Sequence, residues 1–235
     1  MDIPATDPRA AALVAAIHAG DVDRLQALLA EDPALPTARI VDDRGAKRTL
    51  LHIVADWPGH FPNGPRTTAL LIERGADVNA PFGHPGPNPA PETPLHWAAS
   101  SDDVPVLDAL LDGGADIEAP GAVFTGGAPM SDAVVFAQWN AARRLLARGA
   151  GTTIWQAAAL GLLDRVRDHL AAAPAPTPHD VTNALWHACR GGQREVAELL
   201  VSHGADVNWI GHDRKTPLQV ARESGAEDLV SWLRN

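Results

Sequence analysis

At 235 residues, 46 % of them hydrophobic, the chain is long enough to bury a core of its own. Its 29 acidic against 19 basic side chains leave a formal net charge of −10, which argues against the phosphate-neutralising surface that nucleic-acid binding needs. No apolar run approaches the roughly eighteen residues of a membrane span. The single cysteine, Cys189, excludes an internal disulfide and suits a reducing cytoplasm.

From the N-terminus to Asp21 there is no basic leader ahead of the short apolar run, which carries His18 and stops at Gly20-Asp21. It reads as a helix of the mature chain and not as a signal peptide. The next recognisable element is Thr49-Leu50-Leu51-His52-Ile53-Val54-Ala55. It returns as Thr93-Pro94-Leu95-His96-Trp97-Ala98-Ala99 and as Thr216-Pro217-Leu218-Gln219-Val220-Ala221. A second marker, Gly-Ala-Asp-aliphatic-polar, stands at Gly75 to Asn79, Gly114 to Glu118 and Gly204 to Asn208. The step from first marker to second is 21 positions for Thr93 to Gly114, for Asn183 to Gly204 and for the degenerate Ala128 to Gly149.

The residues between the markers have physical reasons. Threonine ahead of proline supplies a helix cap and a first-turn proline. Leu95, Ala98 and Ala99 form the inner face of a short helix, with alanine where neighbours approach closely. Val106, Leu107, Leu110 and Leu111 give the stripe of a second helix, which Gly114 ends in the left-handed region. This pattern resembles the ankyrin repeat, two helices and a projecting turn in about 33 residues. Seven repeats can be placed, at 9–41, 47–80, 91–119, 126–151, 152–173, 181–209 and 214–235. The resemblance implies an all-α fold: an ankyrin-repeat solenoid of stacked helix-turn-helix units with short β-hairpin or loop fingers. It also implies a single domain over 1–235, with incomplete terminal repeats acting as caps.

Departures from the pattern point to function, because the scaffold itself is neutral about it. Thr49 to Gly75 is 26 positions, with the excess in Asp56 to Pro65, between the helices of repeat two. Gly75 to Thr93 is 18 positions against 12 for Gly204 to Thr216, so the second finger, Ala80 to Pro91, is enlarged. The stretch from Gly114 to Ala128 is two residues longer than standard and contains Val123-Phe124-Thr125-Gly126-Gly127. Gly149 to Thr152 spans only 3 positions, so no finger can project between repeats four and five. The proline-rich Ala171 to Pro178 reads as a rigid connector.

Ten histidines invite a metal, yet most have plain roles. His52 and His96 occupy the tetrad that ties a turn to backbone groups, and His203 precedes a capping glycine. His60 and His84 lie in insertions with no His-x-x-x-His or Cys-x-x-Cys spacing, so neither a metal nor another cofactor is expected. Cys189 stands at an alanine position and reads as a small buried hydrophobe. Trp155 and Trp186 are placed at the tetrad's histidine position in the core, and Trp232 at the C-terminal cap. Trp57 and Phe136 fall at the exposed end of a first helix.

The resemblance implies a binding scaffold rather than a conventional enzyme. An unidentified protein partner would lie along the concave face made by finger tips and first helices. The alternative is a small organic ligand, bound or chemically turned over in a site roofed by the enlarged loops of repeats two to four. Nucleic acid and membrane are not expected as partners, and the location is expected to be cytoplasmic. All three insertions fall in the N-terminal half, so the candidate surface is placed there. It comprises Asp56, Trp57, His60, Phe61, Phe82, His84, Trp97, Ser100, Ser101, Asp102, Phe124, Asp132 and Phe136. The same register elsewhere gives Val135, Arg190 and Glu223.

Overall fold

The computed structural model describes residues 1–86 and 91–234. Pro87, Asn88, Pro89 and Ala90, part of the enlarged second finger, lie outside the described residues, as does Asn235. Among the described residues fourteen α-helices follow one another in seven pairs, and the contacts divide the chain into two compact units, Met1–Ala150 and Gly151–Asn235.

In the first unit the pairs are α1 (Pro8–Ala19) with α2 (Val22–Glu31), α3 (Leu50–Ala55) with α4 (Gly64–Glu73), α5 (Pro94–Ser100) with α6 (Val104–Asp112), and α7 (Pro129–Val135) with α8 (Trp139–Ala147). Polar side chains start most of them. Asp7 accepts the Arg9 N–H at 2.8 Å, Asp21 the Arg24 N–H at 2.9 Å, and Asp103 the Val106 N–H at 3.2 Å. Helices α1, α3, α5 and α7 pack in succession as an inner row, and α2, α4, α6 and α8 as an outer row. Leu13, Ile17, Leu25, Leu51, Leu71 and Leu95 are fully buried between them. No pair could bury its apolar stripe alone, and the neighbouring pair completes it.

Three short strands adjoin the first helices: β1 (Asp2–Pro4), β2 (Arg39–Val41) and β3 (Lys47–Thr49). The finger between repeats one and two forms the antiparallel β2–β3 hairpin, and β1 adds a parallel strand ahead of the first expected repeat. The sequence reading allowed only short hairpins. The extra strand forms because Ile3 and Ile40 pair in register and both bury their side chains.

The enlarged loop of repeat two lies against the turns of its neighbours. The Phe61 ring stacks on His18 at 4.3 Å, and Asn63 Nδ2 donates to the Gly20 carbonyl at 2.9 Å. On the other side the His60 N–H donates to Asp103 Oδ2 at 2.6 Å and His60 Nε2 donates to the Ser101 carbonyl at 3.1 Å. Gly20 is required twice over: its φ is +65°, and a Cβ there would stand 2.1 Å from the Pro62 carbonyl oxygen.

In the second unit the pairs are α9 (Ile154–Ala159) with α10 (Leu163–Ala171), α11 (Pro178–Arg190) with α12 (Arg194–Ser202), and α13 (Pro217–Glu223) with α14 (Glu227–Leu233). The link from Ala147 to Ile154 carries no strand or hairpin, as the shortened spacing predicts. Two expectations need correction. Helix α9 is capped on Thr153, whose N–H donates to Gln156 Oε1 at 2.8 Å, so Gln156 and not Trp155 takes the histidine position. The connector before repeat six ends as a cap, with Asp180 N–H on Thr177 Oγ1 at 3.2 Å and Thr177 N–H on Asp180 Oδ2 at 2.9 Å. That Thr-Pro-His-Asp box starts α11 five residues earlier than Asn183.

One polar joint recurs within each unit. His52 Nε2 donates to the Glu92 carbonyl at 3.1 Å, and His96 Nε2 donates to the Gly127 carbonyl at 3.2 Å. In the second unit Trp186 Nε1 donates to the Lys215 carbonyl at 2.9 Å. Each acceptor immediately precedes the first residue of the next tetrad, so one ring N–H satisfies the same buried carbonyl in three places.

Close approach is also visible at Gly191, where a Cβ would lie 2.0 Å from the carbonyl oxygen of Ala159. Its φ of −82° is open to any residue, so space alone selects glycine. Gly191→Ala is expected to cost about 1–3 kcal/mol of stability through overpacking, read as a lower urea midpoint. An unchanged midpoint would show that α9 and α11 move apart freely.

Candidate functional site

The inner helices of the first unit end side by side and set equivalent residues in a row. Asp56 and Trp57 follow the last turn of α3, Ser100 and Ser101 end α5, and Val135 and Phe136 end α7. Between these ends runs an open groove of about 240 Å³. Ala55, Asp56 and Trp57 line it from the end of α3, Trp97 and Ser100 from α5, and Phe136 from the end of α7, with Glu92 and Val123 from the segments ahead of α5 and α7. The Trp57 side chain is 75 % exposed and Phe136 43 %. Phe124, 70 % exposed, lies beside Phe136 with ring centroids 5.9 Å apart.

Trp97 is half-buried because the second finger and the preceding tetrad hold it. It meets His52 edge-on at 4.9 Å and Phe82 at 5.1 Å. The finger itself is fixed to β3 by two hydrogen bonds, Lys47 N–H to the Gly83 carbonyl at 2.7 Å and Gly83 N–H to the Lys47 carbonyl at 3.0 Å. Phe82 N–H donates to the Glu92 carbonyl at 2.7 Å, which closes the base of the finger. His84 stands edge-on to Phe82 at 6.0 Å, and its Nδ1 accepts the Gly86 N–H at 3.0 Å.

Three carboxyl groups belong to this region, in three different states. Asp56 is ion-paired with Arg48 at 2.6 Å. Glu92 is half-buried; burial raises its pKa, and a hydrogen bond from the Trp97 indole opposes the rise. Asp132, on α7, is 1 % exposed, and its pKa is pushed up to about 8 by burial, with a further contribution from the Glu92 charge. A hydrogen bond from the Val123 backbone amide acts in the other direction. Oδ2 of Asp132 has no hydrogen-bond partner. Asp132 is therefore mostly a neutral acid at pH 7, an arrangement more common at functional sites than in plain cores.

Of the residues named from the sequence, the groove brings together Asp56, Trp57, Trp97, Ser100 and Phe136, with Phe82, His84 and Phe124 in the surrounding ring contacts. Asp132 is a neighbour of the groove and lies inside the fold. The other four point elsewhere. His60 and Phe61 brace neighbouring turns. Ser101 is buried, with its hydroxyl donating to the Trp97 carbonyl at 2.7 Å. Asp102 caps α8, its Oδ1 accepting the Ala141 N–H at 2.7 Å and its Oδ2 accepting Asn140 Nδ2 at 2.8 Å.

Glu92 escaped the sequence reading, although it directly precedes the tetrad threonine and so faces the same groove as Trp97. A second aromatic group, in the second unit, escaped it as well. His187 holds the register position of Trp97 and packs against Trp155 at 4.6 Å, Trp186 at 5.0 Å and His212 at 5.5 Å. Its Nδ1 has no partner, and burial, helped by His212 and Arg190, lowers its pKa to about 3. The repeat register would have found it, since Asp132 occupies the same place in α7.

Among the described residues, no group of three or more His, Cys, Asp or Glu is arranged to hold a metal ion. No helix among them is long and apolar enough to cross a membrane. Cys189 is buried, which raises its pKa to about 12 and keeps it an unreactive thiol.

Two family models match the chain. One described as ankyrin repeats (3 copies) covers residues 154–235, and one described as ankyrin repeat covers 91–119. The crystal structure of the human ASB11 ankyrin repeat domain is similar at a TM-score of 0.54 and 22 % identity, over 95 % of this chain and 97 % of that one. At that identity the likeness concerns the fold.

Proposed function

Since the chain is an ankyrin-repeat protein, we propose that it is a scaffold whose first unit holds a protein partner in the groove between the ends of α3, α5 and α7. The observation that carries this reading is the exposed aromatic lining. Trp57 and Phe136 stand open on a groove that another tryptophan, Trp97, also lines, with the exposed Phe124 ring beside Phe136. Exposed aromatics around a concave site are the usual anchors of an interface, and a few of them carry most of its energy. The groove opens to solvent along the Trp57 side, which favours a side chain delivered by a protein over an enclosed small molecule.

Trp57→Ala combined with Phe136→Ala is expected to weaken partner retention at least about thirtyfold, as loss of about 2 kcal/mol or more would. Immobilised wild-type and variant protein would be compared on the same native lysate, with helical circular dichroism checked for both. Retention that survives this change and is lost on altering Arg190 and Glu223 would move the interface to the second unit.

A further inference from the structure

Resting on that reading, we propose that the groove of the first unit takes an arginine side chain of the partner, its guanidinium against the Glu92 carboxylate and over the indole rings of Trp57 and Trp97. The charges in the groove are the first argument. Asp56 is already neutralised by Arg48 from within the chain. Glu92 forms no ion pair among the described residues and receives only the Trp97 indole N–H, leaving acceptor capacity facing an open volume. Close by, a buried oxygen of Asp132 has no partner, and the Glu92 charge acts on that carboxyl. A cation placed at Glu92 would pair with the one of these three carboxyl groups that is neither ion-paired within the chain nor fully buried. An apolar side chain would strip water from Glu92 and return nothing to it.

The walls are the second argument. Trp57 touches no other aromatic ring among the described residues, so its faces are available. A cation over tryptophan is attracted by the ring quadrupole, most strongly where water is partly excluded. Arginine suits this combination better than lysine, because its planar, weakly hydrated guanidinium can lie flat on an indole while its edge bonds a carboxylate. The net charge of −10 also favours approach by a basic segment.

The test uses three blocked peptides, acetyl-Gly-Arg-Gly-amide and its lysine and norleucine counterparts, titrated into the full chain labelled with nitrogen-15. The expected result is saturable movement of the Trp57 and Trp97 indole N–H signals by the arginine peptide, weaker by at least threefold for lysine and absent for norleucine. Glu92→Gln should lower the arginine affinity about tenfold, and Trp57→Ala, which removes an exposed ring, should do the same while the thermal midpoint holds. Equal saturation by norleucine, or arginine binding unchanged in Glu92→Gln, overturns the arginine assignment and leaves the groove as a docking site of another kind. No saturable shift with any peptide overturns the assignment too. Shifts confined to the second unit overturn both this inference and the reading it rests on.

Discussion

Between pH 6.5 and pH 4 the protein is expected to lose most of its stability, a loss that begins well above the pH at which ordinary carboxylates are protonated. His52 and His96 are completely buried, and burial holds both pKa values at about 4 against a usual 6.5. The folded chain therefore needs these rings neutral. Thr93 N–H donates to His96 Nδ1 at 3.1 Å while Nε2 donates to the Gly127 carbonyl, so one nitrogen must accept and the other must give. Protonation removes the acceptor and charges a dry site. In this window the unfolded chain binds more protons than the folded one, so stability rises with pH and falls as acid is added. Each ring contributes about 3 kcal/mol across the interval, and two of them approach the whole stability of a typical domain. His187, lowered to about 3, acts in the same direction.

Urea midpoints measured from pH 7 down to pH 4 would check this. The informative variant is His96→Gln, because Gln156 and Gln219 already perform the capping role in two other repeats. It should remain folded at pH 7 and show a shallower fall toward pH 4. A stability that is flat over the window, or a variant with the wild-type slope, would refute the argument.

Asp132→Asn is expected to make the protein more stable at neutral pH, and the gain should grow with pH. The sign is opposite to that of the histidines. The folded pKa, about 8, lies above the unfolded 3.8, so the folded state keeps a proton that the unfolded state has lost. Stability from this group is complete below pH 3.8 and is lost as pH rises to 8. At pH 7 the accumulated cost is about 4 kcal/mol. Asparagine cannot ionise, although its amide would inherit the unpartnered place at Oδ2 and give back about 1–3 kcal/mol. The net effect is about 1–3 kcal/mol of stabilisation at pH 7, near zero or negative at pH 4.5. Parallel pH curves for the two proteins would show that Asp132 has an ordinary pKa. With the histidines active below pH 6.5 and Asp132 above pH 3.8, wild-type stability should peak near pH 6.5.

The fold was legible because each repeat restates its own boundaries. Thr93 with His96, Asp103 at the next start and Gly114 at the end mark one helix pair without reference to the rest of the chain. Where the marker was degenerate the reading slipped. Thr152 and Thr153 are both plausible caps, and only the hydrogen bond to Gln156 decides between them. The candidate site was legible in register and not in direction. Trp57, Trp97 and Phe136 share the groove because equivalent positions of stacked repeats must line up. His60 and Asp102 were misplaced because the side chain of an inserted or left-handed residue follows the neighbouring turn beneath it, which no spacing within its own repeat reveals. Glu92 needed one further step, since a polar residue before a cap is common and gains meaning only once the facing tryptophan is in place.

The loop from Asp56 to Pro65 fastens the turn at Gly20 on one side and the turn at Ser101 and Asp103 on the other. Three successive helix pairs are thus held by a single loop, and the ends of α3 and α5 are fixed in advance of any encounter. A partner would meet a surface that already has its bound shape, so capture should follow one collision step without a slow rearrangement. Differences among partners would then appear in how long they stay and far less in how fast they arrive.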